Sequence, residues 1–475
     1  MVRSDARFDV KVVDFLLESS PARITTYVRV AGKTFFSRVT YHTIPSWDDL
    51  WGRVDVRCRP QILGALVAWD CMRFLALGGE TLELCDGLEL DASARATWRH
   101  CFLNQFGEWR YRNQFRYRNG DQPLVICRDP LESVARPRAG DTVSRDTSAA
   151  QRWLVTNGGG KDSLVGMMLL GDAGVPFDVY EGCLPIGGAS EVQTSLLANL
   201  RAAATANDSR LISVTIEDDF FSTPDDVFRR LGVRTEHFKS DFAVGHTANY
   251  PGYFPLILYH GYSRVWFNIE ASADRTMARW NGEDVNHQWC KSQEYHECSS
   301  QLFRELTGDH RFEGFSSTLR GIHDSVIYRI AGMEEDLLRM THSCNLNKPW
   351  CRRCAKCCFS YLMMAAIKGE PFAQEVVGTT ESLFEAPELA TIWRDLLDVN
   401  HVAWECVPSH EECLLAVREC LRRGIRYPVL DRYAHAAEER LEELRRSYHT
   451  IDWSKVPAEL RRPMIARIAR AGADL

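Results

Sequence analysis

Apolar and polar positions alternate over Thr26-Tyr27-Val28-Arg29-Val30 and Thr34-Phe35-Phe36, and this period of two predicts β-strands within residues 8–45. The spacing then becomes helical over residues 59–77 and 93–106. Residues 132–150 are polar, contain Pro137 and Gly140, and carry no apolar period, so they read as a linker. Beyond Arg152, short apolar runs at 177–180, 211–216 and 265–269 predict strands, and residues 190–206 predict a crossover helix. Strands alternating with helices argue for a parallel sheet covered on both faces. After about Pro371 the pattern is mostly helical, ending in 432–448, where Glu and Arg residues pair at helical spacing on a solvated face. The expected fold is therefore α/β. A parallel, doubly wound core over 151–370 follows an α+β N-terminal domain over 1–131 and the linker 132–150, and a helical region over 371–475 closes the chain. No internal repeat or low-complexity tract interrupts this plan.

One loop turns the plan toward chemistry. Residues 156–163 read Thr-Asn-Gly-Gly-Gly-Lys-Asp-Ser between the apolar Trp153, Leu154 and Val155 and a helical run bearing Leu164, Met167, Met168 and Leu170. Glycines at that junction let backbone N–H groups approach phosphate oxygens at the positive end of a helix dipole. A Walker A loop does not fit, because Lys161 is followed by Asp162 and Val155 stands five places before Gly160. The segment resembles the S-G-G-x-D-S loop of the PP-loop ATP pyrophosphatases, with Gly158 where that family usually has Ser. A glycine-rich turn without a ligand is the plain alternative. The resemblance implies a PP-loop core that binds ATP through Gly158, Gly159, Gly160, Lys161, Asp162 and Ser163, cleaves it between the α and β phosphates, and leaves AMP on a substrate oxygen.

Composition narrows the setting. With 475 residues and 45% hydrophobic content, the chain can build several cores. Its net charge of −7 argues against a broad nucleic-acid footprint. No run of 18 apolar residues occurs and the first residues lack the apolar core of a signal peptide, so the expectation is a cytoplasmic enzyme with no membrane partner. Sixteen cysteines then read as reduced thiols plus a metal site. Cys344, Cys351, Cys354 and Cys357, with Cys358 adjacent, form C-x6-C-x2-C-x2-C-C, a spacing that brings four thiolates to one tetrahedral ion. Zinc is the natural occupant, and Lys348, Arg352, Arg353 and Lys356 would offset its ligands' charge. Structural thiols without metal, or an iron–sulfur cluster, share the spacing.

Further segments specify a family jointly. They are Gly107-Glu108-Trp109-Arg110-Tyr111-Arg112-Asn113, Gly245-His246-Thr247 opening a helix, Asn268-Ile269-Glu270-Ala271-Ser272-Ala273, Asp284-Val285-Asn286-His287-Gln288-Trp289-Cys290-Lys291-Ser292, Ser343-Cys344-Asn345 and Trp404-Glu405-Cys406-Val407. In this order around the variant loop, they resemble the MurL family, the UDP-N-acetylmuramoyl-L-alanyl-L-glutamate epimerases, in patches over about residues 100–420. The zinc-knot element also resembles that of PP-loop deazaguanine synthases. The MurL resemblance implies an ATP- and magnesium-dependent epimerase that adenylates the terminal carboxylate of a peptide, a UDP-linked muramoyl dipeptide, and inverts the adjacent α-carbon. Adenylation suits this chemistry because it neutralises the carboxylate and acidifies the neighbouring C–H.

Proton-transfer candidates are His287 first, since imidazole titrates near neutrality, then Cys290; Lys291 could hold a carboxylate or the phosphates instead. A hydrogen-bonded turn shaping the pocket is the alternative for all three. Glu270 could bind magnesium or ribose, or complete a salt bridge. The run 98–118 mixes Arg99, Arg110, Arg112, Arg116 and Arg118 with aromatic rings. It suits a nucleic-acid platform, a clamp on a carboxylate or pyrophosphate, or arginine stems laid over apolar surface. Two other function classes stay open: a PP-loop ligase, amidotransferase or tRNA-thiolating enzyme, and a nucleotide-binding module without catalysis. The altered Asn157 and Gly158 also leave room for a peptide other than the cell-wall precursor.

Overall fold

The computed structural model describes residues 8–114, 124–126, 152–183, 190–205, 208–231, 248–344 and 346–472. The linker 132–150, the segment Gly245-His246-Thr247, Arg116, Arg118 and Asn345 lie outside them. The strands are β1 Phe8–Glu18, β2 Ala22–Val30, β3 Lys33–Tyr41, β4 Gly79–Glu83, β5 Leu124–Ile126, β6 Trp153–Thr156, β7 Phe177–Cys183, β8 Leu211–Asp218, β9 Arg264–Phe267, β10 Ala278–Trp280, β11 Glu283–Val285 and β12 Gly314–Ser317. Ten of them form one sheet in the order β12-β9-β6-β7-β8-β3-β2-β1-β4-β5, and β10 and β11 pair separately.

The block β12, β9, β6, β7 and β8 is parallel throughout. Its strands obey the period of two. On β6, Leu154 enters one core while Trp153 and Val155 enter the other; on β9, Val265 and Phe267 face the first core and Trp266 the second. Both faces of β6 and β9 are therefore buried, as short apolar strands in a parallel sheet require. The two cores differ in origin. One is built largely from N-terminal segments, including the helix Arg59–Asp70, buried continuously from Ile62 to Asp70. The other gathers Lys161–Asp172, Asp324–Gly332, Ala355–Lys368 and the C-terminal helices.

The N-terminal strands join the same sheet. β3 pairs antiparallel with β8, Ser37 opposite Asp218 through Tyr41 opposite Val214, so the meander β1–β3 extends the parallel block. Arg73, fully buried, reinforces the seam by pairing with Asp70 at 2.5 Å and reaching Asp218 at 3.7 Å. Helices expected over 59–77, 93–106 and 190–206 appear as Arg59–Asp70 with Met72–Ala76, as Ala92–Gln105, and as Ser190–Ala204. The continuous helix expected over 432–448 is instead interrupted at Arg440 (φ −111, ψ 14), giving Ala434–Glu439 and Leu441–Tyr448 with Ala437, Leu441 and Leu444 buried around the break. Among the described residues no helix is long and apolar enough to cross a membrane.

Candidate active site

The glycine loop leaves the C-terminal end of β6 and enters the helix Lys161–Asp172, whose N-cap is Gly160 (φ −91, ψ 175). No side-chain hydrogen bond caps that helix at Gly160. The loop is held by its own side chains. Gly158 N donates to Ser163 Oγ at 2.8 Å, and Gly159 N donates to Asn157 Oδ1 at 3.0 Å. Asn157 in turn donates to Glu181 Oε1 and the Leu197 carbonyl, so the residue flagged as a departure in sequence staples the loop to its neighbours. Gly159 has φ +79, and a Cβ there would lie 2.1 Å from His342 Nε2. Only glycine satisfies both conditions. Gly166, one turn into the helix, is equally constrained: a Cβ would meet Asn268 Oδ1 at 1.8 Å. Asn268 donates to the Thr156 carbonyl and accepts from Thr318 Oγ1, tying the ends of β6 and β9 together beneath the loop.

Gly158, Gly160, Asp162 and Ser163 form one wall of a cleft of about 430 Å³. Lys161 and Gly159 do not line it. The Lys161 ammonium, 1% exposed, turns inward to Asp162 Oδ1 at 2.8 Å and Asp324 Oδ1 at 2.5 Å, beneath the Tyr328 ring. Burial disfavours its charge, but Asp162 and Asp324 outweigh that and raise its pKa. In this position it neutralises a buried carboxylate.

The facing wall carries Gln288, Cys290, Lys291, Lys348, Lys356 and Cys406, with Tyr250, Tyr253 and Phe267 supplying apolar surface. A narrow side pocket opens beside it, lined by Glu270, His287, Gln288, Lys291, Glu405 and Cys406 among others. His287 Nδ1 lies 2.6 Å from Glu108 Oε2, and its Nε2 lies 3.7 Å from Cys406 Sγ. Glu108 is buried and also accepts from Arg112 at 3.0 Å. Burial would lower the pKa of His287, yet Cys406 and Glu108 hold the imidazolium and raise it to about 10. Burial would raise the Cys406 thiol, but Lys291, His287 and Lys356 bring it down to about 6. Lys291 is raised despite burial, because Cys406 and Glu270 face it. Glu270 is lowered despite burial by Lys161, Lys291 and Lys356. The wall is thus a set of mutually supporting charges.

The strap bearing Cys406 is anchored at both sides. The Trp404 ring packs on Tyr111 with centroids 5.4 Å apart. Glu405 accepts from Ala355 N at 3.2 Å and Lys356 N at 3.3 Å, placing its carboxylate on the N-terminus of the helix Ala355–Lys368. That same helix end carries the cysteines. The Sγ atoms of Cys344, Cys351, Cys354 and Cys357 all lie within 4.8 Å of one another, with Cys344–Cys354 at 3.9 Å and Cys351–Cys357 at 3.8 Å. Four sulfurs about 2.3 Å from one tetrahedral ion are separated by roughly 3.8 Å, so the set can hold a metal. Backbone N–H groups of Leu346, Asn347 and Cys351 point at Cys344 Sγ and that of Arg353 at Cys351 Sγ, the outer-shell bonds that thiolate ligands take. Cys358 is fully buried in the helix and outside the group.

Of the arginine-aromatic run, much of the described part is interior, although His100 and Gln114 are exposed. Trp98 and Trp109 are buried, and Arg110 donates to the Leu103 carbonyl and Glu283. Its stems and rings build the support for Glu108 rather than an exposed binding face. Two features of the site were not assigned a role from sequence: Glu108 and Cys406. Both lie in segments that carry the family resemblance, 107–113 and 404–407, but nothing local links positions so far apart.

Models of known families match this chain in two parts. The MurL N-terminal domain matches residues 78–197 and 256–316, and the MurL C-terminal domain matches residues 339–446. The chain belongs to the MurL family. The MurL N-terminal match holds Glu108, the glycine loop and the segment 284–292, while the C-terminal match holds the cysteine group and Cys406. A Micromonospora protein named UDP-N-acetyl-alpha-D-muramoyl-L-alanyl-L-glutamate epimerase is 26% identical over 352 residues, covering 69% of this chain and 68% of its own length. Proteins of the same name from Salinispora tropica and Xanthomonas oryzae are each 26% identical, over 355 and 344 residues, covering 69% and 70% of this chain and 66% and 68% of their own.

Proposed function

We propose that this protein is an ATP-dependent epimerase that activates the terminal carboxylate of a peptide as an acyl-adenylate and inverts the adjacent α-carbon. The single observation carrying this reading is that one cleft joins a glycine loop at an uncapped helix N-terminus to a wall of thiols and cations. The relatives' name, which specifies a UDP-linked muramoyl dipeptide ending in glutamate, makes UDP-MurNAc-L-Ala-L-Glu the first substrate to test. The cleft volume falls in the range of small-molecule sites.

The chemistry divides between the walls. Gly158, Gly160 and Ser163, with the leading N–H groups of their helix, would hold the triphosphate. Asp162 is the loop carboxylate bordering the cleft and would hold magnesium, which would supply positive charge to the phosphates there. The substrate carboxylate oxygen attacks the α-phosphorus, pyrophosphate leaves, and the resulting mixed anhydride carries no carboxylate charge. Its α-proton is then removable, and Lys291 supplies a fixed positive charge for the enolate that forms. A proton returned to the opposite face inverts the centre, and water releases the epimer with AMP. The four-cysteine group would bind zinc as a structural clasp, holding the helix end on which Glu405 seats the Cys406 strap.

The test uses the full chain with ATP, magnesium and UDP-MurNAc-L-Ala-L-Glu in deuterated water. The expected result is AMP and pyrophosphate released only with peptide, and one deuterium at the glutamate α-carbon of the D-configured product. Formation of ADP, or AMP release without α-exchange, would sink the reading, the latter in favour of a ligase.

A further inference from the structure

We propose that Cys406 is the group that removes the α-proton, with His287 and Glu108 as the pair that positions its sulfur; this rests on the epimerase reading above. His287 has both ring nitrogens against protein groups, Nδ1 on Glu108 and Nε2 on Cys406, so the imidazole has no free nitrogen to offer a substrate. Lys291 is held as the ammonium and has no lone pair. The Asp162 carboxylate pairs with the Lys161 ammonium on the glycine wall, where magnesium would sit, and Glu405, bound to two backbone N–H groups, borders only the side pocket. Glu270 borders the side pocket, not the main cleft. Cys406 lines both, beside Lys291 and across from the glycine loop.

Every element around the sulfur serves that use. His287 and Lys291 face it from the segment 287–291, Lys356 from the helix Ala355–Lys368, and Glu405 from its own strap, which two short bonds, Glu405 N to the Ala403 carbonyl and Val407 N to the Glu405 carbonyl, keep tightly folded. A thiolate stabilised by three cations and oriented by a carboxylate-bound imidazolium is a preformed base. In the step, the Cα–H bond breaks, an Sγ–H bond forms, and the electron pair enters the activated carbonyl. A proton delivered to the opposite face completes the inversion, and Cys406 releases the proton it took to solvent.

The test separates activation from proton transfer in the full chain. For Cys406→Ser, ATP–pyrophosphate exchange dependent on peptide should persist while α-deuterium incorporation falls by about 100-fold or more, the scale of general-base catalysis. Undiminished deuterium incorporation, or a thioester trapped on Cys406 by acid quench, would overturn the assignment. The second arm maps iodoacetamide labelling of Cys406 by peptide mass against pH, without substrate. Labelling should have a midpoint near 6 in the wild type and move up by about one unit or more in His287→Asn, as loss of an opposite charge requires. A midpoint at the ordinary thiol value of about 8.5, unmoved by that variant, would overturn the pairing. Wild-type protein that shows no peptide-dependent exchange refutes the epimerase reading instead, and the labelling arm still decides the Cys406–His287 pair.

Discussion

The two walls of the cleft are built in opposite ways. The glycine wall is contiguous: residues 157–163 hydrogen-bond to one another across two and five positions, and their backbone supplies the binding groups. The thiol wall is assembled: Glu108 meets His287 across 179 positions, and His287 meets Cys406 across 119. Backbone chemistry needs only a local conformation, which a few glycines specify. Side-chain acid–base chemistry needs unlike groups forced together in a dry place, and only convergence of separate segments supplies that. The assembled wall therefore depends on remote structure in a way the contiguous wall does not.

The sharpest way to break this contrast is Cys354→Ala. It should abolish zinc binding measured by mass spectrometry of the metal, and lower the melting temperature more than any other change considered, because structural zinc contributes on the order of 10 kcal/mol in small domains. It should also raise the labelling midpoint of Cys406, since Glu405 docks on the same helix end. Retained zinc and an unmoved thiol would show that the cysteine group does not support the thiol wall.

Next in size is Gly159→Ala, which tests the contiguous wall. Its positive φ and the 2.1 Å approach to His342 should together cost about 2–5 kcal/mol, read in thermal unfolding, and ATP–pyrophosphate exchange should fall with it. Gly171→Ala, in the same helix with nothing within 4 Å of its Cβ, should be stabilising by about 1 kcal/mol. Equal effects at both positions would mean that loop geometry is not what glycine serves there.

The smallest effect is on rate alone. Cys406 becomes a neutral thiol as pH falls through about 6, and His287 loses its proton as pH rises through about 10. Turnover should accordingly rise across the first limb, hold between them, and fall across the second. In His287→Asn the acid limb should move upward and the alkaline limb should vanish. An unchanged profile would remove His287 from the working site.

Short-range order in the chain determined β6, β7, β8 and β9 of the parallel block but not β12, together with the crossover helix, the glycine turn between β6 and its helix, and the thiol spacing at 344–357, because each of these follows from neighbours within one or two turns of backbone. Tertiary structure alone decided that β3 lies against β8 and merges the N-terminal meander into one sheet, that Lys161 turns away from the cleft to Asp324, and that Glu108, His287 and Cys406 meet. The physical reason is common to all three. Strand edges, buried charges and unlike ionisable groups find partners by burial and register among distant segments, and those energies have no period that a reading along the chain can detect.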